Sequence, residues 1–221
     1  MTENKGIYLK NFSKYFFSAT TKNILFEDQT IIFEKGKNIG LLGMNGCGKS
    51  TLLKMISRSE SVSVGRLETN CSVSWPIGIY TGLDLFLTGR QNIVFIASLL
   101  GIKDIEELIQ EVAFQAELES SMDLQVRYYS SGMFSRLSFF LCLLIDFDFY
   151  LIDEVTSVGD FKFQDKSAKL LDEVSERSTI ILTSHNPENI RAHCEVAYII
   201  KNGTISQLYD VDEAIQIYNN T

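Results

Sequence analysis

The sequence predicts an α/β fold: a mostly parallel sheet core with helices on both faces, an N-terminal antiparallel β subdomain and a helical insertion. Three observations predict it. A glycine-rich loop, Gly43-Met44-Asn45-Gly46-Cys47-Gly48-Lys49-Ser50-Thr51, stands between a short apolar run and a stretch of helical periodicity. Further apolar runs, Phe149–Ile152, Ile180–Thr183 and Val196–Ile200, have strand length and recur between helix-length stretches. The region from about 80 to 130 carries helical periodicity and no strand signal. Strands that alternate with helices pack as a parallel sheet covered on both faces. A chain of 221 residues, 45% hydrophobic, can bury one sizeable core. We expect a single domain over 1–221, with the helical subdomain inside it.

Each element follows in order. Ile7–Leu9 and Asn23–Phe33 read as strands; in the second, Ile24, Phe26, Ile31 and Phe33 alternate imperfectly with polar residues, as in a sheet with one wet face. Ile39–Leu42 is uniformly apolar and reads as a buried strand. After the glycine loop, Thr51–Ser57 has Leu52, Leu53 and Ile56 at helical spacing. Arg66–Trp75 alternates again, and Pro76 with the glycines after it is expected to break that pattern. Asn92–Leu100 and Ile105–Ala116 read as helices, with Gly101 ending the first and Asp104 placed to cap the second. Another helix is expected from near Ser131 to Ile145. Phe149–Ile152 is a buried strand that ends at Asp153-Glu154. Asn202-Gly203 signals a tight hairpin, and Ala214–Tyr218 closes as a helix.

The loop is where the chemistry starts. G-x-x-x-x-G-K-S between a strand and a helix binds phosphate: glycines let successive N–H groups point inward, and the helix N-terminus adds partial positive charge. Lys49 would reach the β- and γ-phosphates, and the Ser50 hydroxyl would ligate Mg²⁺. Asp153 at the carboxyl edge of a parallel sheet can hold the same metal, and Glu154 beside it can polarise an attacking water. His185 ends the next strand, Ile181-Leu182-Thr183-Ser184, and would reach the γ-phosphate. Tyr129-Ser130-Ser131-Gly132-Met133 before a long apolar helix makes a second anion site, or an ordinary N-cap by Ser130 or Ser131.

Composition excludes other classes. The net charge of −8 argues against nucleic acid as the main partner. Cys47, Cys71, Cys142 and Cys194 have no C-x-x-C spacing, which fits reduced thiols rather than a zinc site or a disulfide framework. Met1–Gly6 carries no apolar signal region, and the run Phe139–Ile145 is too short to span a bilayer.

These pieces, in this order, make the chain resemble the nucleotide-binding subunits of ATP-binding cassette transporters, P-loop NTPases with a RecA-like core. The resemblance covers nearly the whole chain. Gly43, Asn45, Gly46, Gly48, Lys49, Ser50 and Thr51 fall in its Walker A motif. Ser130-Ser131-Gly132-Met133 matches the signature motif, with serine for its first glycine and methionine for its glutamine. Leu151–Glu154 matches Walker B, with Glu154 as the catalytic glutamate. Ser157–Asp160 occupies the D-loop and His185 the switch position. Phe16 sits where the family stacks an aromatic ring on adenine, with Tyr15 as the neighbouring alternative.

Two departures narrow the resemblance. No glutamine lies between Cys71 and Arg90, and the signature carries the serine just noted. Both, with Leu87–Asn92, resemble the exporters of capsular polysaccharide; no carbohydrate-binding domain follows before Thr221. The resemblance implies an ATPase that binds ATP and Mg²⁺ and works as a homodimer, each ATP lying between Walker A of one copy and Ser130, Ser131 and Gly132 of the other. It implies an integral membrane permease as partner, periplasmic and outer-membrane export components beyond it, and a peripheral place on the cytoplasmic face of the inner membrane. Rival readings are export of O-antigen or teichoic acid, a non-transport cassette ATPase, a non-hydrolysing ATP-binding regulator, and a small P-loop kinase. Trp75, Ile77, Ile79, Tyr80, Leu83, Leu85, Phe86 and Leu87 are either core or the groove that seats the permease.

Overall fold

The computed structural model describes residues 5–18, 21–78, 82–153 and 161–220. By contacts the chain divides into two units. One comprises Met1–Pro76, Phe147–Glu154 and Ser175–Thr221; the other comprises Ile77–Asp146 and Val155–Val174.

The first unit carries two sheets. In the three-stranded sheet, β1 (Gly6–Phe17) lies between β2 (Lys22–Glu34) and β4 (Val64–Thr69), antiparallel to both. The larger sheet has the order β10-β8-β3-β7-β6-β5: β3 (Ile39–Leu42), β5 (Val73–Ile77), β6 (Phe149–Asp153), β7 (Thr179–Ser184), β8 (Val196–Lys201) and β10 (Tyr209–Asp210). Pairs β3–β7, β3–β8 and β6–β7 are parallel. The hairpin strand β9 (Thr204–Ile205) joins β8 across Asn202 and Gly203, both at positive φ, the turn that N-G predicts. β3 and β7 are buried along their whole length, which is why they read as continuous apolar runs. The core of this unit joins Phe12, Phe26 and Phe33 of the first sheet to Leu41, Phe149, Leu151 and Ile181 of the second, with Leu52, Leu53 and Ile56 of helix α1 (Lys49–Ile56).

The second unit holds α2 (Gly89–Leu100), α3 (Ile105–Ala116), α4 (Ser131–Leu144) and most of α5 (Phe161–Arg177). Phe139, Phe140 and Phe163 form an edge-to-face aromatic cluster with centroids 5.4 to 5.7 Å apart. Helices α6 (Pro187–His193) and α7 (Val211–Asn219) return to the first unit.

Three expectations are corrected. Pro76 does not break β5, which runs through it to Ile77; β5 is the edge strand, where a missing N–H is tolerated. Asp104 stands at the start of α3 but makes no side-chain capping bond; its φ of −93° and ψ of 62° leave the extended conformation that capping needs. β1 runs to Phe17, eight residues past Leu9, because pairing with β2 and β4 carries it through a polar stretch with register shifts.

Candidate active site

Local geometry builds the phosphate loop. Leu42 ends β3, Gly43 follows, and the chain turns into α1 through Gly46 (φ +81°) and Gly48 (φ +109°). Gly48 occupies the N-cap position and makes no side-chain cap, so the first N–H groups of α1 stay available to an anion. Lys49 is only 6% exposed, and its Nζ donates to the carbonyls of Gly43 (2.7 Å) and Met44 (3.2 Å). Those bonds hold the ammonium over the loop it closes. A side chain at Gly43 would meet Sγ of Cys47 at 2.5 Å and the Ile200 carbonyl at 2.7 Å, so this glycine is needed for room.

A cavity of about 370 Å³ opens above the loop. Its lining comes from Phe16 of β1, Asn23 and Leu25 of β2, Asn45, Gly46, Gly48, Lys49, Ser50 and Thr51 of the loop and α1, and Asp153 of β6. Thus Phe16, Asn45, Gly46, Gly48, Lys49, Ser50, Thr51 and Asp153 are brought together, whereas Gly43 is not part of the lining. Phe16, 43% exposed, lines the cavity and Tyr15 does not. Asn23 and Leu25 escape sequence reasoning: they sit in an alternating strand with no motif, and reach the cavity because Phe16 pairs with Asn23 across β1 and β2.

The cavity suits a nucleotide and a divalent metal. Ser50 and Asp153 bring hard oxygen donors to one wall, and the Thr183 hydroxyl donates to Oδ1 of Asp153, orienting the carboxylate. His185 directly follows Ser184, which pairs with Leu42, so it sits at the same carboxyl edge and is exposed. Glu154 and Asp160 lie outside the described residues.

The second unit carries the serine–glycine segment. Ser130 is the N-cap of α4, its hydroxyl accepting from the Met133 N–H at 3.2 Å; Ser131 and Gly132 form the first turn. Upstream, the Tyr129 hydroxyl donates to the Ser121 carbonyl and sits where a side chain on Gly89 would have to go. Leu85 and Leu87 accept through their carbonyls from the N–H groups of Arg127 and Val126, at 2.9 Å each. Buried Asn92 holds the same loop: its side chain accepts from the Asp84 N–H and donates to the Asp84 and Thr88 carbonyls.

Of the expected apolar cluster, Ile77 is core at 2% exposure, as a β5 residue, and so is no part of a groove surface. Phe86 (68%) and Leu85 are exposed, whereas Trp75, Leu83 and Leu87 are half-buried. Ile79 and Tyr80 lie outside the described residues.

Comparison with known proteins places this geometry. The family model described as "ABC transporter" matches residues 26–157, more than half of the chain. The polysialic acid transport ATP-binding protein KpsT of Escherichia coli is 40% identical, over 96% of this chain and 98% of its own length. The capsule polysaccharide export ATP-binding protein CtrD of Neisseria meningitidis serogroup B is 36% identical, over 97% and 99%. Among solved structures, an ATP-binding subunit of an ABC transporter superposes with a TM-score of 0.80 at 20% identity, covering 97% of this chain and 93% of that one. A dimeric ATP-binding cassette bound to ADP and Pi gives 0.77 at 18%, covering 93% and 98%. At those identities the structures speak for the fold, and the sequence matches speak for the family. The chain belongs to the ABC transporter family and is one of its ATPase cassettes.

Proposed function

We propose that this ATPase powers export of capsular polysaccharide through a separate membrane permease. The observation that carries the reading is similarity at 36–40% identity, nearly end to end, to subunits named for polysialic acid and capsule polysaccharide transport. The cavity above the phosphate loop supplies the chemistry.

Phosphoryl transfer to water needs positioning and charge stabilisation more than covalent chemistry. Lys49 and the N–H groups of the loop and α1 bind the β- and γ-phosphates. Ser50 and Asp153 would hold Mg²⁺, which neutralises phosphate charge. Glu154 orients the attacking water and accepts its proton, and His185 steadies the γ-phosphate. Phe16 stacks on adenine. The working form is a homodimer in which Ser130, Ser131 and Gly132 close the partner's site; the dimeric likeness with ADP and Pi supports it. Among the described residues no helix is long and apolar enough to cross a membrane, in keeping with a peripheral subunit on the cytoplasmic face of the inner membrane. Leu85 and Phe86 supply an exposed apolar contact for the permease, strapped by backbone bonds to the segment before Ser130.

The test is genetic. Cells lacking the gene should make the polymer and retain it inside; the wild-type chain should restore surface polymer and Glu154→Gln should not. Normal surface polymer in the deletion strain, with another solute accumulating inside, would remove the polysaccharide reading and leave the ATPase standing.

A further inference from the structure

Lys14 is a buried cation that the phosphate-handling residues do not use. It lies on β1 two positions before Phe16, close enough for its ammonium to reach the Phe16 ring. The residue is 4% exposed. Its Nζ donates to Oε1 of Glu60 at 2.6 Å and to the Ser61 carbonyl at 2.8 Å. The same Nζ stands over the Phe16 ring, 4.8 Å from its centroid. That distance is within the range for cation–π attraction, which strengthens when the ammonium is shielded from water. A phenyl ring has two faces. The ammonium occupies one, and Phe16, 43% exposed, also lines the cavity, which Lys14 does not.

We infer that Lys14 is a positioning residue for the nucleobase: it fixes the Phe16 ring from behind and polarises it, so that the face turned to the cavity stacks more strongly on adenine. The inference rests on the reading that Phe16 stacks on the base. A phenylalanine on an exposed strand end turns freely about two torsions, and ordering it on binding costs entropy. A cation held in place by Glu60 and Ser61 removes part of that cost in advance. It also draws π-density toward itself, which favours contact between the opposite face and an electron-rich purine. Lys14 is not among the residues that line the cavity, so its effect should reach a nucleotide only through Phe16.

Calorimetric titration of the full chain separates this role from a structural one. MgATP carries the base; Mg-tripolyphosphate offers the same phosphates without it. Lys14→Met should lower MgATP affinity roughly three- to tenfold and leave tripolyphosphate affinity unchanged. Phe16→Ala should lower MgATP affinity by about tenfold or more, and Lys14→Met added to it should change nothing further, since the cation acts only through the ring. Lys14→Arg should retain most of the affinity. Should Lys14→Met be too unstable to purify, Lys14→Gln removes the charge while keeping a donor for Glu60 and Ser61. If the Lys14 variants weaken both ligands alike, or if the Lys14 and Phe16 effects multiply, the positioning role is wrong. If Phe16→Ala itself leaves MgATP affinity unchanged, the stacking reading fails first, and the inference with it.

Discussion

Replacing Gly48 with alanine tests the backbone of the phosphate loop and its packing at once. Two costs apply. Gly48 sits at φ +109° and ψ 6°, where an L side chain is strained by ~1–2 kcal/mol. A Cβ there would also stand 2.7 Å from Cζ and 3.0 Å from Cε2 of Phe26, a fully buried ring that cannot swing away. Overpacking of this kind costs ~1–3 kcal/mol. Together they come to roughly 2–5 kcal/mol, a large part of a typical domain's ~5–15. Gly46→Ala is the control: its φ is +81°, but nothing lies within 4 Å of the new methyl, so only the first cost applies. Urea unfolding of both variants should therefore place Gly48→Ala below Gly46→Ala by ~1–3 kcal/mol. Adding Phe26→Leu to Gly48→Ala makes room for the methyl, and the double variant should be more stable than the sum of the single losses by about 1 kcal/mol. Equal midpoints for the two glycine variants, or strict additivity with Phe26→Leu, would refute the packing described for the loop.

Other expectations follow from the same geometry. Lys49→Ala should weaken MgATP binding about ten- to hundredfold, the loss of one charge-assisted bond, as read by calorimetry. Glu154→Gln should still bind ATP but hydrolyse it ~10²–10⁴-fold more slowly; sedimentation should find this variant shifted toward dimers by ATP, because hydrolysis no longer drains the closed state. Asp148 should govern acid stability: burial raises its carboxyl, but bonds from Lys35, the Ser72 N–H and Lys5 outweigh burial and hold it well below the usual carboxylate range. A depressed folded pKa stabilises above the unfolded value, near 3.9, and that contribution fades as pH falls below it. Lys5 and Lys35 are partly open to solvent, which screens these pairs, so Asp148→Asn should cost ~1 kcal/mol at neutral pH, and the gap to the parent should narrow below about pH 4 in pH-dependent urea unfolding.

Several features of the fold and the site are legible in short stretches of the chain. A strand, a glycine-rich loop and a helix contiguous in the chain specify the phosphate cradle, because its donors are backbone N–H groups whose direction depends on nearby glycines. Uniform apolar runs marked the parallel strands, and N-G marked the β8–β9 turn, since these signals lie within a few residues of what they build. Other features are set by residues far apart in the chain. Asn23 and Leu25 become cavity wall through pairing of β2 with β1. Gly43 is required by the carbonyl of Ile200. Ile77, one apolar residue in a cluster of eight, is core because β5 continues through Pro76 at the sheet edge, while Phe86 stays exposed. Lys14 reads as an ordinary strand lysine until Glu60 and Ser61, more than forty residues on, bury its ammonium against Phe16. Periodicity reports that a residue has an inner and an outer face, but which neighbour occupies that face depends on register and crossover, and these are properties of the whole sheet.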